Sequence, residues 1–201
     1  MNIPFSYICA PSGHQRGFTL IELLVTVSVL AVLLAMGVPS FQGMLGSNTL
    51  TSQTNDLVSS LNLARSEAIR RGTRVTVCKS SDASSCATTG NWTQGWITFV
   101  DTTRSGTTAV VNTGESILAV HQTSSGTVSI KGSSSVDSYV SYASDGRAKL
   151  ISGNAQSGTL RICNSSTTLT NANRARDLSI SAVGRVASST PSSVLASCPS
   201  P

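Results

Sequence analysis

Phe18 to Val38 reads FTLIELLVTVSVLAVLLAMGV, twenty-one residues with Glu22 as their single charge. Wound as a helix at 1.5 Å per residue, this run is about 31 Å long, the hydrocarbon thickness of a bilayer. Residues 1–17 before it are polar or mixed and bring His14 and Arg16 close to the apolar run. Basic residues on that side stay cytoplasmic and send the remainder of the chain across the membrane. A secretory signal peptide would end in an A-x-A-like site, and Ala35-Met36-Gly37 is a poor version of one. Neither that reading nor a plain signal anchor accounts for Glu22. A carboxylate inside a span costs about 2.5–3.5 kcal/mol on insertion scales, so it marks function. The nearest positive group would be a free amine at Phe18, four residues earlier on the same helical face. That amine exists only if the chain is cut between Gly17 and Phe18.

Gly17-Phe18-Thr19-Leu20-Ile21-Glu22 resembles the prepilin cleavage motif of type IV pilins and type II secretion pseudopilins. The resemblance implies that a prepilin peptidase cuts after Gly17 and N-methylates Phe18. It also implies that the apolar segment stays on the mature chain as membrane anchor and later as filament core. Glu22 would then pair with the terminal amine of a neighbouring subunit. Pro39 matches a helix-breaking proline common in pilins.

Beyond Pro39, which is expected to kink or loosen the helix, apolar residues recur at Phe41, Leu45, Leu50, Leu57, Val58, Leu61, Ala64, Ala68 and Ile69. Spacings of three and four predict a helix with one buried stripe. Gly43 and Gly46 predict a partly unwound stretch near its start. Arg70 and Arg71 suit the last turn, and Gly72 suits the position after it. The pattern then changes to period two. Strands are predicted at 74–79, 95–100, 116–121, 127–131, 139–143, 159–163 and 178–183, parted by turn signals such as Ser105-Gly106, Asp145-Gly146 and Ser157-Gly158. Seven antiparallel strands and one helix predict an α+β domain with its sheets laid on that helix.

Leu63-Ala64-Arg65-Ser66-Glu67-Ala68-Ile69 before a strand, and Trp92-Thr93-Gln94-Gly95-Trp96-Ile97-Thr98-Phe99-Val100-Asp101, are similar to the GspH/FimT family of minor pilins and pseudopilins. Glu115–Leu118 and Gly184-Arg185-Val186 add weaker matches. The family implies a long transmembrane and amphipathic helix packed on a small antiparallel β-sandwich. The expected organisation is a cleaved leader at 1–17, a transmembrane helix at 18–39, an amphipathic helix at 40–72, a β-sandwich at 73–187 and a tail at 188–201. Trp96, heading a strand, reads as core; Trp92, in a loop, is less determined by its position.

Cys9 leaves with the leader, so the mature chain keeps Cys78, Cys86, Cys163 and Cys198. An even count in an exported domain favours disulfides. Three pairings are possible. The short serine-rich loop between Cys78 and Cys86 favours a local bridge, which leaves Cys163 with Cys198 and ties the tail to a strand. No C-x-x-C pair occurs and His121 is the only histidine of the mature chain, which argues against zinc and leaves no cofactor expected.

Catalytic signatures are missing: no G-x-S-x-G elbow, no P-loop, no paired carboxylates. Asp82, Asp101, Asp137 and Asp145 fall where turns are expected and would cap backbone amides. The chain reads as a peptidase's substrate, not as an enzyme. From Gly146 onward Arg147, Lys149, Arg161, Arg174, Arg176 and Arg185 face one acid, Asp177. Arg174, Arg176 and Arg185 are therefore candidate DNA phosphate contacts. DNA-receptor members of the family carry a glycine–arginine–any–arginine motif here; Gly184 and Arg185 match it, and Ala187 replaces the second arginine. The expected partners are prepilin peptidase, other pilins or pseudopilins, inner-membrane lipid and DNA. Three roles share this architecture: a minor pilin of a type IV pilus, a type II secretion pseudopilin, and a DNA-receptor minor pilin. The tail and the hydroxyl-rich loops favour the first.

Overall fold

The computed structural model describes residues 17–103, 106–122 and 126–201. The leader up to Arg16, with Cys9 and His14, and Ser105 of the expected Ser105-Gly106 turn lie outside the described residues. The chain divides into two compact units, Met1–Pro39 and Ser40–Pro201. Helix α1 (Leu20–Arg71) begins in the first and ends in the second.

Within the first unit every described residue from Gly17 to Val38 is exposed, including the whole apolar run. A helix apolar all round with nothing covering it is a membrane segment by composition. Pro39 does not end the helix: α1 keeps helical backbone on both sides of the proline. An internal proline removes one N–H and crowds one carbonyl, a local cost that a long helix absorbs without ending. The loosening expected at Gly43 and Gly46 is also absent. Gly46 instead permits close packing in the second unit. Its carbonyl accepts from Asn164 Nδ2 at 3.1 Å, and a Cβ there would stand 3.3 Å from Asn164 Nδ2 and Leu169 Cδ1.

The second unit holds eight strands: β1 (Val75–Lys79), β2 (Trp96–Val100), β3 (Ile117–His121), β4 (Val128–Gly132), β5 (Tyr139–Tyr142), β6 (Gly158–Asn164), β7 (Ala175–Ile180) and β8 (Val186–Ser189). They form two antiparallel four-stranded sheets, ordered β3-β2-β1-β5 and β4-β6-β7-β8. The fold is α+β, a long helix packed on antiparallel sheets. Leu50, Leu57, Leu61, Ala64 and Ala68 of α1 share one core with Val75, Val77 and Tyr142 of the first sheet and Ile130, Ile162 and Leu178 of the second. The helical spacing of three and four places all five on one face.

The last predicted strand lies three residues too late; β7 starts at Ala175. β8 was not predicted, and it carries the sandwich past residue 187. Its sequence VASS shows no apolar alternation, and the ladder to β7 holds it in place. Both β1 and β2 are buried along their full length. Behind the first sheet the chain folds a second small core around Cys78, Ile97, Phe99, Ala109, Tyr139 and Ile151.

The structure pairs Cys78 with Cys86 and Cys163 with Cys198. Val194 and Cys198 pack with Cys163 and Ala175. Lys131 Nζ donates to the Cys198 carbonyl at 2.7 Å and Arg161 Nη1 to that of Ser200 at 3.3 Å. The tail is thus strapped across the second sheet. Opening the bridge that spans 35 residues of sequence with Cys163→Ala/Cys198→Ala should cost about 3–4 kcal/mol in the chain-entropy account. Urea unfolding in detergent measures it.

Candidate functional site

Thr19, just before α1, and Glu22, in its first turn, bond reciprocally. Glu22 N donates to Thr19 Oγ1 at 3.3 Å, and Thr19 N donates to Glu22 Oε2 at 3.5 Å. This is a capping box, legible in the sequence as Thr-x-x-Glu. Both bonds are long, so they orient the carboxylate more than they stabilise it. Gly17 and Phe18 stand exposed ahead of the cap. A Cβ on Gly17 would meet nothing within 4 Å. The folded chain therefore places no demand for glycine there.

At the far end of α1 the fold does demand glycine. Arg65 Nε donates to the Gly146 carbonyl at 3.0 Å and Nη2 to that of Val183 at 3.1 Å. One guanidinium thereby joins the helix to the β5–β6 connection and the β7–β8 turn. Gly184 has φ +81°, and a Cβ there would stand 2.0 Å from the Gly146 carbonyl oxygen. The Gly184-Arg185 pair thus has a packing reason for its glycine. Nothing in the spacing of residues points to Arg65, whose partners lie 81 and 118 positions away.

The three candidate DNA arginines do not form one face. Arg174 is 4% exposed, and its guanidinium donates to Asn171 Oδ1 and to the carbonyls of Asn164, Ser166 and Leu169. It holds the loop before β7 together, with four of its five N–H donors spent inside the loop and the side chain buried away from any phosphate. Its sequence setting among asparagines looked like a loop surface; the buried carbonyls it serves are invisible there. Arg176, half-buried on β7, donates to Ala175 O at 2.7 Å and to Asn173 O at 3.4 Å. Arg185 is exposed in the β7–β8 turn. Arg147 and Lys149, from the β5–β6 connection, share Asp145 at 4.0 and 3.3 Å. In the last turn of α1 Glu67 bridges Arg70 and Arg71, each at 2.6 Å. Those bonds pull its carboxyl down to about 2.

Both tryptophans are core residues. Trp92 Nε1 donates to Val136 O and Trp96 Nε1 to Ser60 Oγ, so neither is a surface platform. Asp82 and Asp145 accept from backbone amides as expected of turn aspartates. Asp101 differs: it is buried at the end of β2 and accepts from Thr76 Oγ1 at 2.9 Å.

An exposed apolar helix behind a capped start, carrying a disulfide-stapled β domain, defines a membrane-anchored pilin-like subunit with a soluble C-terminal domain. The chain belongs to the GspH family, Type II transport protein GspH, which matches residues 53–184. The Prokaryotic N-terminal methylation motif matches residues 12–38, the segment whose processing by prepilin peptidase precedes assembly with other pilins. The Prepilin peptidase-dependent protein D of Escherichia coli (strain K12) is 46% identical over 44 residues, 22% of this chain. The chain spans 30% of the length of that relative. The type IV minor pilin FimU of Pseudomonas aeruginosa (strain PAO1) is similar in two crystal forms. In space group P21 it has 23% identity and a TM-score of 0.48, over 73% of this chain and 95% of that one. In P65 the identity is 23% and the TM-score 0.49, over 71% and 98%.

Proposed function

We propose that this chain is a structural minor pilin of a type IV pilus, taking part in pilus assembly and priming. It sits in the bacterial inner membrane with its β domain in the periplasm until it joins the filament. Prepilin peptidase cuts after Gly17 and methylates Phe18, and Glu22 meets the new amine of a neighbouring subunit. The observation that carries the processing step is the glycine that the fold does not need. A small residue lets an enzyme approach the backbone, and Gly17 has no other work. The relative named as prepilin peptidase-dependent supports the same step. For the pilus over type II secretion, the supporting feature is the strapped tail. A bridge and two cation–carbonyl bonds hold the C-terminal residues on the second sheet, which suits a subunit carried outside the cell.

The test is deletion of the gene with both machines assayed. Surface pili should fall sharply while type II secretion continues, and sheared filaments should contain the chain beginning at methylated Phe18. Loss of secretion with normal pili would instead make it the pseudopilin. A first residue near position 36 would overturn the processing step itself.

Contact with DNA is a second reading. What supports it is that Arg147 and Arg185 each follow one of the two touching glycines, Gly146 and Gly184, so two exposed cations share one end of the domain. Binding would be sequence-independent and weaken steeply with salt. In gel-shift titrations of the mature chain in detergent, Arg147→Ala/Arg185→Ala should lower the salt slope by about 2. Equal retention by both proteins would remove this reading.

A further inference from the structure

Each sheet ends in two outer strands, and an outer strand presents backbone N–H and C=O groups with which another strand can pair. Two of the four outer strands are covered from within the chain. On β4 the Ile130 amide donates to Thr93 Oγ1 at 2.8 Å. On β5 the Ser141 amide donates to Gln156 Oε1 at 3.0 Å, Gln156 Nε2 donates to the Tyr139 carbonyl at 2.9 Å, and the Lys149 amide donates to the Ser141 carbonyl at 2.9 Å. Among the described residues β3 and β8 have no such cover; their ladders run on the inner side alone, to β2 and to β7. β3 reads ILAVH, has no lysine or proline to blunt it, and leaves Val120 49% exposed. β8 reads VASS and follows the exposed Arg185. The two edges are complementary in charge. α1 brings Asp56 to the end of β3, with Oδ2 3.7 Å from His121 Nε2, beyond hydrogen-bond distance. A pocket of about 230 Å³ opens there, lined by Asp56, Trp96, Ala119 and His121 among others and by no lysine or arginine among the described residues.

We propose that β3 of one copy and β8 of a second copy pair as antiparallel strands, with the second copy's Arg185 against Asp56. Antiparallel order sets the head of β8 beside His121, the end of β3 that faces Asp56; parallel order would carry Arg185 to Ile117 instead. Aligning Arg185 with His121 aligns Val186 with Val120 and Ala187 with Ala119. Residues opposed across a ladder point to the same side of the sheet. His121 stacks on Trp96, and both line the pocket beside α1, so the arginine enters on that side. The two valines meet on the other face. A slip of one residue would turn Arg185 away from Asp56.

The contact is head-to-tail. Each copy uses a different edge toward each neighbour, so the pairing runs on from copy to copy instead of closing on itself. A pairing this short is weak alone, and confining anchored copies to one membrane raises their effective concentration. It goes beyond the role proposed above and does not depend on which machine the chain serves.

Disulfide trapping tests this with two differently tagged versions of the full chain, Val120→Cys and Val186→Cys, reconstituted together in phosphatidylethanolamine–phosphatidylglycerol vesicles and oxidised with copper–phenanthroline. The expected product is a dimer carrying both tags. Val120→Cys mixed with Ala187→Cys should give little of it, because Ala187 points to the opposite side. Asp56→Arg in the first version, or Arg185→Asp in the second, should each lower the yield at least about tenfold. The two reversals together should restore it, which a mere folding defect in either chain would not allow. Dimers formed equally well by either version alone would overturn the pairing in favour of a closed contact between like edges. Absence of the mixed dimer, or a yield indifferent to both charge reversals, would overturn it as well and leave the β3 edge to a strand of a different pilin.

Discussion

Gly184→Val will unfold the β domain or leave it barely stable, an expected loss of about 4 kcal/mol or more. Three costs coincide. The residue sits at φ +81°, where a β-branched side chain is strained by about 1–3 kcal/mol. The new Cβ would overlap the Gly146 carbonyl oxygen, 2.0 Å away, and crowd Arg65 Nε at 3.1 Å. Moving either apart breaks the Arg65–Gly146 bond that joins α1 to the β5–β6 connection. Gly153→Ala is the matched control. Its φ is +95°, yet nothing lies within 4 Å of the added carbon, so only backbone strain of about 1–2 kcal/mol should appear. Arg65→Met should fall between the two. Urea denaturation of the mature chain in detergent, followed by far-UV circular dichroism, ranks them. A Gly184→Val protein within about 0.5 kcal/mol of wild type would sink the account of this junction.

That junction shows where the sequence stops being readable. The apolar run, the helical stripe from Leu50 to Ala68 and most strands stand out because each is a local periodicity. Gly184-Arg185 is visible as a motif, but its reason lies in contacts with Arg65 and Gly146, both distant in the chain. Arg174 is the converse. Its asparagine-rich neighbourhood reads as a phosphate-binding loop, and only the folded chain shows four acceptors converging on the buried guanidinium. β8 escapes because three of its four residues are exposed and none is buried, so no core face imposes an apolar alternation on it.

Glu22 stands out in the sequence as the single charge of the apolar run, and with the Thr19 cap in view two physical readings of it compete. One is the capping box; the other is a charge pair with a neighbouring subunit's amine. Glu22→Gln separates them, because glutamine can occupy the third helical position of a capping box but carries no charge. Glu22→Leu removes both functions. If the role were capping, Glu22→Gln would assemble like wild type and only Glu22→Leu would fail. The capping bonds, at 3.3–3.5 Å, are too long to explain a carboxylate in an apolar run. Its insertion costs about 2.5–3.5 kcal/mol that the amide or leucine would avoid in part or whole. A partner of opposite charge offsets that cost, and the amine uncovered at Phe18 by cleavage is the group available. Both variants should therefore insert and lose the leader normally, yet each should enter filaments at least about tenfold less than wild type, as one lost charge pair in apolar surroundings allows. Immunoblots of sheared filaments against membranes give the ratio. Wild-type incorporation of Glu22→Gln would reduce Glu22 to a helix cap and leave the Phe18 amine to find another anion.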